Sequence, residues 1–217
     1  LENLSIYNNS SQTGGGLYFH QSNGIVNNSD VYSNSSSTHA GGISCYGSSP
    51  IISNSSIRNN NAGQNGGGVW FGSPTLINVI IENNSAENGG GIYGGCTIIN
   101  SRIESNNGGG LHGFNSIDSC IIINNSGSSG GGISNGNLVE NTLIMNNNCD
   151  DYGAGIYEVS TINTSTIINN NSQQNYNGLY GNCSISNSNI INDGYGHFNN
   201  NPSSIPDATN NYWGDSS

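Results

Sequence analysis

The stretch GGGIYGGCTIINSRIESNNGGGLHG, residues 89–113, carries two glycine triplets whose starts lie nineteen positions apart. Each triplet is followed by an apolar residue, Ile92 or Leu111. Outside the stretch the same mark recurs at Leu17, Ile43, Val69, Ile133, Ile156 and Leu179. In chain order the eight marks are separated by 26, 26, 23, 19, 22, 23 and 23 residues, a repeat with loops of variable length. Inside the stretch, Ile103 sets a tighter register. Its equivalents are Ile6, Val31, Ile57, Ile81, Ile122, Ile144, Ile167 and Ile190. Three places after them stand Asn9, Asn34, Asn60, Asn84, Asn106, Asn125, Asn147, Asn170 and Asp193. Three places before stand Asn3, Asn28, Asn54, Asn78, Asn100, Ser119, Asn141, Thr164 and Asn187, and five places before, every unit is apolar.

These segments are too short for helices and rich in β-branched residues, so each unit reads as three short strands. Coils of about 23 residues can bury their isoleucines only by stacking on one another. Paired strands lie about 4.8 Å apart, which makes a rod of about nine rungs roughly 40 Å long. The expected fold is all-β, a single-stranded right-handed parallel β-helix (β-solenoid) with three short strands per rung. Its hand follows from the general hand of parallel crossovers and from the resemblance given below. Asn60, Asn84, Asn106, Asn125, Asn147 and Asn170 then stack and can pass amide hydrogen bonds from rung to rung. The glycines fit bends where a positive φ or a close backbone approach excludes a Cβ.

Composition narrows the functional classes. Thirteen acidic residues face two arginines and no lysine, for a net charge of -11. Such a surface repels nucleic acid and anionic membranes, and no apolar stretch is long enough for a membrane-spanning helix. The five cysteines, an odd number without CxxC spacing, read as buried fillers or free thiols.

The alternation of GGG-Ile with Ile-x-x-Asn resembles the right-handed parallel β-helix repeats of bacterial surface proteins. It is especially similar to the chlamydial-type polymorphic outer membrane protein repeats, which carry GGAI and FxxN. Here Ile mostly replaces the Phe, and a third Gly often replaces the Ala. The closing NNYWG, Asn210 to Gly214, is similar to a segment that often ends such domains in secreted proteins. The resemblance covers nearly the whole chain and is specific for fold rather than function. It implies a secreted or bacterial cell-surface protein, among adhesins, proteins of open role and distant pectate-lyase-like enzymes.

Residues 1–193 form the repeats, and 194–217 read as a capping segment or tail of the same domain, using Phe198, Ile205, Tyr212 and Trp213. The first rung is uncapped, so another segment or chain is expected to cover it.

One outward stripe follows the glycine marks: Tyr18, Ser44, Trp70, Tyr93, His112, Ser134, Tyr157 and Tyr180. Its rings at Tyr18, Trp70, Tyr93, His112, Tyr157 and Tyr180 suit a glycan or a protein partner, or are simply exposed β residues. A second outward stripe ends in apolar residues, Ile123, Met145, Ile168 and Ile191, beside Ile121 and Leu143. This patch marks a covered surface or a protein contact. Glu82 and Glu104 stack on consecutive rungs near Arg58, a carboxylate pair to test against glycosidase chemistry or an ordinary solvated face. Asn146, Asn148, Asp150 and Asp151 offer oxygen ligands for a structural calcium, and otherwise no cofactor is expected.

The reading is a noncatalytic scaffold for adhesion to a glycan or protein partner, joined to further segments of its parent polypeptide. The alternatives are a carbohydrate-active β-helix enzyme, lyase or glycoside hydrolase-like, and a cargo segment of a secretion system.

Overall fold

A computed structural model describes residues 1–174, 177–191, 197–198 and 209–214. It is an all-β parallel solenoid of about eight turns, without a helix among the described residues. Sequence counting gave about nine rungs.

The Ile-x-x-Asn strands form one ten-stranded parallel sheet. It runs from Ser5–Tyr7 through Ile80–Glu82, Arg102–Glu104 and Ile121–Ile123 to Asn189–Ile191 and Tyr212–Trp213. The register is that of the repeat, with Ile57, Ile81, Ile103, Ile122 and Ile144 directly over one another. All five are fully buried, each stabilising the stack by at most about 2–3 kcal/mol. Tyr212 and Trp213 extend this register beyond Asn189 and Ile190. Ile205 and Asp193 lie outside the described residues, and of Phe198 only the backbone pairing with Gly181 is described.

The glycine-following and Leu-x-Asn segments share a thirteen-stranded sheet. They are separate strands in the first three rungs, in two of which Pro50 or Pro74, lacking an N–H for the ladder, intervenes. In four later rungs they fuse into strands of eight residues, Ile92–Ile99, Leu111–Asp118, Ile133–Glu140 and Ile156–Asn163. A further set of short strands follows the asparagines in two three-stranded sheets, Ser10–Thr13 to Asn61–Ala62 and Ser126–Gly127 to Asn171–Ser172. Rungs such as Leu111–Asp118, Ile121–Ile123 and Ser126–Gly127 thus hold the three expected strands, and those that start at Leu17 and Ile43 hold a fourth.

Two adjacent asparagines do different work in each unit. Asn83, Asn124, Asn146 and Asn169 take the left-handed conformation, with φ between 54° and 57°. Their successors Asn84, Asn125, Asn147 and Asn170 are buried. The Asn84 backbone N–H and Nδ2 both donate to Asn106 Oδ1, at 2.9 and 3.1 Å. Asn84 Nδ2 also donates back to the Ile57 carbonyl at 2.9 Å. The same pattern repeats from Asn34 to Asn147, so a buried amide column runs the length of the stack with its donors and acceptors matched.

A second buried column, two places before the core isoleucines, contains Ser29, Ser55, Ser101, Cys120, Thr142, Ser165 and Ser188. Each hydroxyl donates to the carbonyl two residues back, as Ser165 Oγ does to Asn163 at 2.8 Å, and accepts an N–H from the rung before, as from Thr142 at 3.2 Å. The glycine triplets bring the next rung close. Gly89 has φ 55°, and a Cβ on Gly91 would stand 2.4 Å from the Gly110 carbonyl oxygen, inside any tolerable contact.

Candidate functional site

The interior is filled by the aliphatic and amide columns, so function is left to the outward side chains. On the thirteen-stranded sheet the stripe after the glycine marks is in register, with Trp70 between Ser44 and Tyr93, and Tyr93 beside His112. Its rings do not stand apart on a flat face. Tyr93 and His112 stack at 4.6 Å and 7°, and Tyr157 and Tyr180 at 5.5 Å and 4°. Rings 4–6 Å apart on successive rungs turn their faces toward one another along the axis and their edges to solvent. Ser44 and Ser134, the gaps in the stripe, are buried at 0% and 5% exposure rather than outward-facing in solvent. Burial also lowers the His112 pKa, and Ser134 Oγ lies 3.0 Å from its Nδ1.

The stripe recruits rings that no repeat position announced. His39 stacks on Trp70 at 4.4 Å and 6°, and Tyr152 on Tyr180 at 4.9 Å. In the first three rungs the cluster spreads sideways: Tyr18 to His20 at 5.9 Å, His20 to Tyr46 at 5.6 Å, and Tyr46 to Phe71 at 5.8 Å. The alternation of Leu17–His20 and Ile43–Tyr46 was the available signal, since His20 and Tyr46 stand two places after Tyr18 and Ser44 and so share their side of the sheet. Phe71 gave no such signal. Its φ of 56° is left-handed, at a place filled in later rungs by Gly94, Gly113, Asn135, Glu158 and Gly181. A bulky side chain there costs about 1–2 kcal/mol of backbone strain. Gly94 accommodates it, because a Cβ there would meet Phe71 Cα at 2.8 Å. Phe71 is nevertheless 46% exposed.

Glu82 and Glu104 are adjacent in register, with Arg58 on the other side of Glu82. The arginines are committed elsewhere. Arg58 pairs with Asp30 at 2.5 Å and lies 4.4 Å over the Tyr32 ring, and Arg102 pairs with Glu104 at 2.5 Å. The Asp30 partner was not expected. Asp30 enters through the outward position two places before Tyr32, the residue that is in register with Arg58. A surface groove of ≈ 610 Å³ is lined by Asn28, Asn54, Asn78 and Ile80 and by neither carboxylate of the pair.

In the second stripe Ile123, Met145, Ile168 and Ile191 stack in register, flanked by Ile121 and Leu143. Only Ile121 is exposed, at 37%, while Ile123 is buried at 8%. Its neighbours in the column close over it, so Ile123 is not the surface residue that alternation predicted. Asn146 sits in its left-handed bend, Asn148 Oδ1 accepts from Asn171 at 3.2 Å, and Asp150 Oδ1 accepts from Gln173 at 2.8 Å. Asp150 and Asp151 are exposed, and among the described residues no group of three or more His, Cys, Asp or Glu is placed to hold a metal. The five cysteines are free and buried, and burial pushes Cys45 and Cys96 up to about 12.

No protein-family model, curated protein or solved structure matches the chain.

Proposed function

We propose that the chain is a noncatalytic β-solenoid scaffold that adheres to a glycan or protein partner at a bacterial surface or after secretion. The supporting observation is the ring cluster of the first three rungs, in which Tyr18, Tyr46 and Phe71 are 52%, 43% and 46% exposed. Large exposed rings on a backbone fixed by two buried hydrogen-bonding columns make a preorganised contact surface, which lowers the entropic cost of binding. The resemblance to surface β-helix repeats supports the location. Commitment of both arginines to ion pairs favours a binding role over acid–base chemistry by Glu82 and Glu104.

The test is an immobilised chain challenged with glycan and surface-protein panels, with product release monitored beside binding. Saturable binding without bond cleavage, weakened about tenfold in Trp70→Ala, is expected. Cleavage that disappears in Glu82→Gln or Glu104→Gln would replace the scaffold by the enzyme.

A further inference from the structure

We infer that the cluster of Tyr18, His20, His39, Tyr46, Trp70 and Phe71 is a binding platform for a neutral, hydroxyl-rich glycan, with Phe71 as its central contact. The inference rests on the adhesive reading and names its ligand.

Three observations converge on this ligand. The first is open ring faces. Where rings stack regularly, at 4° to 7° between planes, each face is occupied by the neighbour. Phe71 is tilted by 30° to Trp70 and by 32° to Tyr46. Phe71 also stays 46% exposed, which leaves ring surface available to the C–H face of a pyranose.

The second is charge. Residues 18–29, 38–57 and 61–81, which supply all six rings, contain no Asp, Glu, Lys or Arg, in a chain with thirteen acids. A cationic ligand or a basic protein would find its complement elsewhere on this acidic surface, and an anionic ligand would find no cation here. What the rings do have beside them are amides and hydroxyls. Gln21 and Asn23 follow His20, and Ser49 follows Tyr46, its N–H held by Asn23 Oδ1 at 2.7 Å. Planar rings bordered by neutral donors and acceptors match a ligand with apolar faces and equatorial hydroxyls.

The third is strain. Phe71 keeps a left-handed φ of 56° although it is exposed and Gly72 beside it has φ 84°. A glycine at position 71 would relieve the backbone without opening the core, so a strained and exposed ring is best accounted for by contact with a ligand.

The test uses the 217-residue chain with neutral hexasaccharides of glucose, galactose, mannose and N-acetylglucosamine, and with an oligogalacturonate as the acidic probe. Titrations follow Trp fluorescence and calorimetry. The expected result is saturation by a neutral oligosaccharide with a Kd between about 10 μM and 1 mM. Phe71→Gly and Tyr46→Ala should each weaken it at least about tenfold, while Tyr7→Ala, an equally exposed ring on another sheet, leaves it unchanged. Phe71→Gly should also keep or raise Tm, which separates lost contact from lost fold. Binding of the acidic probe alone, absence of saturation by any neutral probe up to roughly 10 mM, or undiminished binding by Phe71→Gly overturns the inference. A protein partner captured through the same rings overturns the glycan and leaves the adhesive scaffold standing. Hydrolysis of a bound oligosaccharide does the reverse.

Discussion

Asn83 and Asn84 are neighbours in the chain and opposites in the structure. Asn83 is exposed and holds a left-handed bend, while Asn84 is buried and donates three hydrogen bonds to two other rungs. Every rung from Tyr32–Asn34 to Ile168–Asn170 repeats the contrast, and in two of them Ser33 or Ser105 takes the bend. The exposed column is a backbone requirement that several residue types can meet. The buried column is a side-chain requirement for an atom set that only Asn supplies, one acceptor oxygen and two amide hydrogens at a fixed reach. Substitutions at the two columns should therefore differ in size and in chemistry.

The largest effect is expected in the buried column. Asn106→Ala would strip the acceptor from the Asn84 N–H and Nδ2 and remove the donors to the Ile81 carbonyl and to Asn125 Oδ1. Leaving such groups unpaired without water should cost on the order of 3 kcal/mol, read as a fall in the urea midpoint. Asn106→Asp tests the chemistry more finely. The carboxylate still accepts from Asn84 but cannot donate, and its charge is buried, so its folded pKa is raised above the unfolded value. Stability of that variant should be lost as pH rises and regained as pH falls. A pH-independent loss would mean that the column tolerates an anion, and the amide argument would fail.

At the exposed column the expected effects are smaller and follow backbone conformation. Asn83→Gly should change stability by no more than about 0.5 kcal/mol, and Asn83→Val should cost roughly 1–2 kcal/mol, because a β-branched residue resists a positive φ. If Val were as harmless as Gly, the left-handed bend would not be what selects Asn there.

These columns also show what was legible from the residues. The stacking, the buried isoleucines and the Asn ladder followed from phase alone, because each is a demand repeated in every rung. The Ser29-to-Ser188 column was equally periodic, with Ser or Thr in six of nine units two places before the core residue. It was missed because serine is so common here that its phase carries little weight. The outward features were read poorly for a different reason. His39 reaches Trp70 from the preceding coil, Asp30 takes Arg58 across one rung, and Ile123 is closed over by its column. Such contacts depend on side-chain reach between rungs, which a position count does not contain. Phe71 breaks the pattern outright, and a departure from a repeat is visible in sequence only once the repeat's backbone demands are known.

At neutral pH the smallest effect concerns the core thiols, and it extends the same contrast from amides to a titratable group. Cys45 and Cys96 are buried beside the aliphatic columns, and burial raises both from 9.0 to about 12. The native state therefore keeps these protons in a range where the unfolded chain releases them. Their contribution to stability is fully present below about pH 9 and is lost as pH rises toward 12. Two consequences can be measured separately. At pH 8 a thiol reagent should label the folded chain only at the rate of its opening, and denaturant should speed labelling in step with unfolding. Between pH 9 and 11 the urea midpoint should fall, with a shallower slope in Cys45→Ala/Cys96→Ala, since each thiol contributes up to one proton to the linkage. Rapid labelling of Cys96 under native conditions would show that water reaches the interior between rungs. The buried amides would then have solvent as an alternative partner, and the large difference expected between Asn84 and Asn83 would shrink toward that of two surface residues.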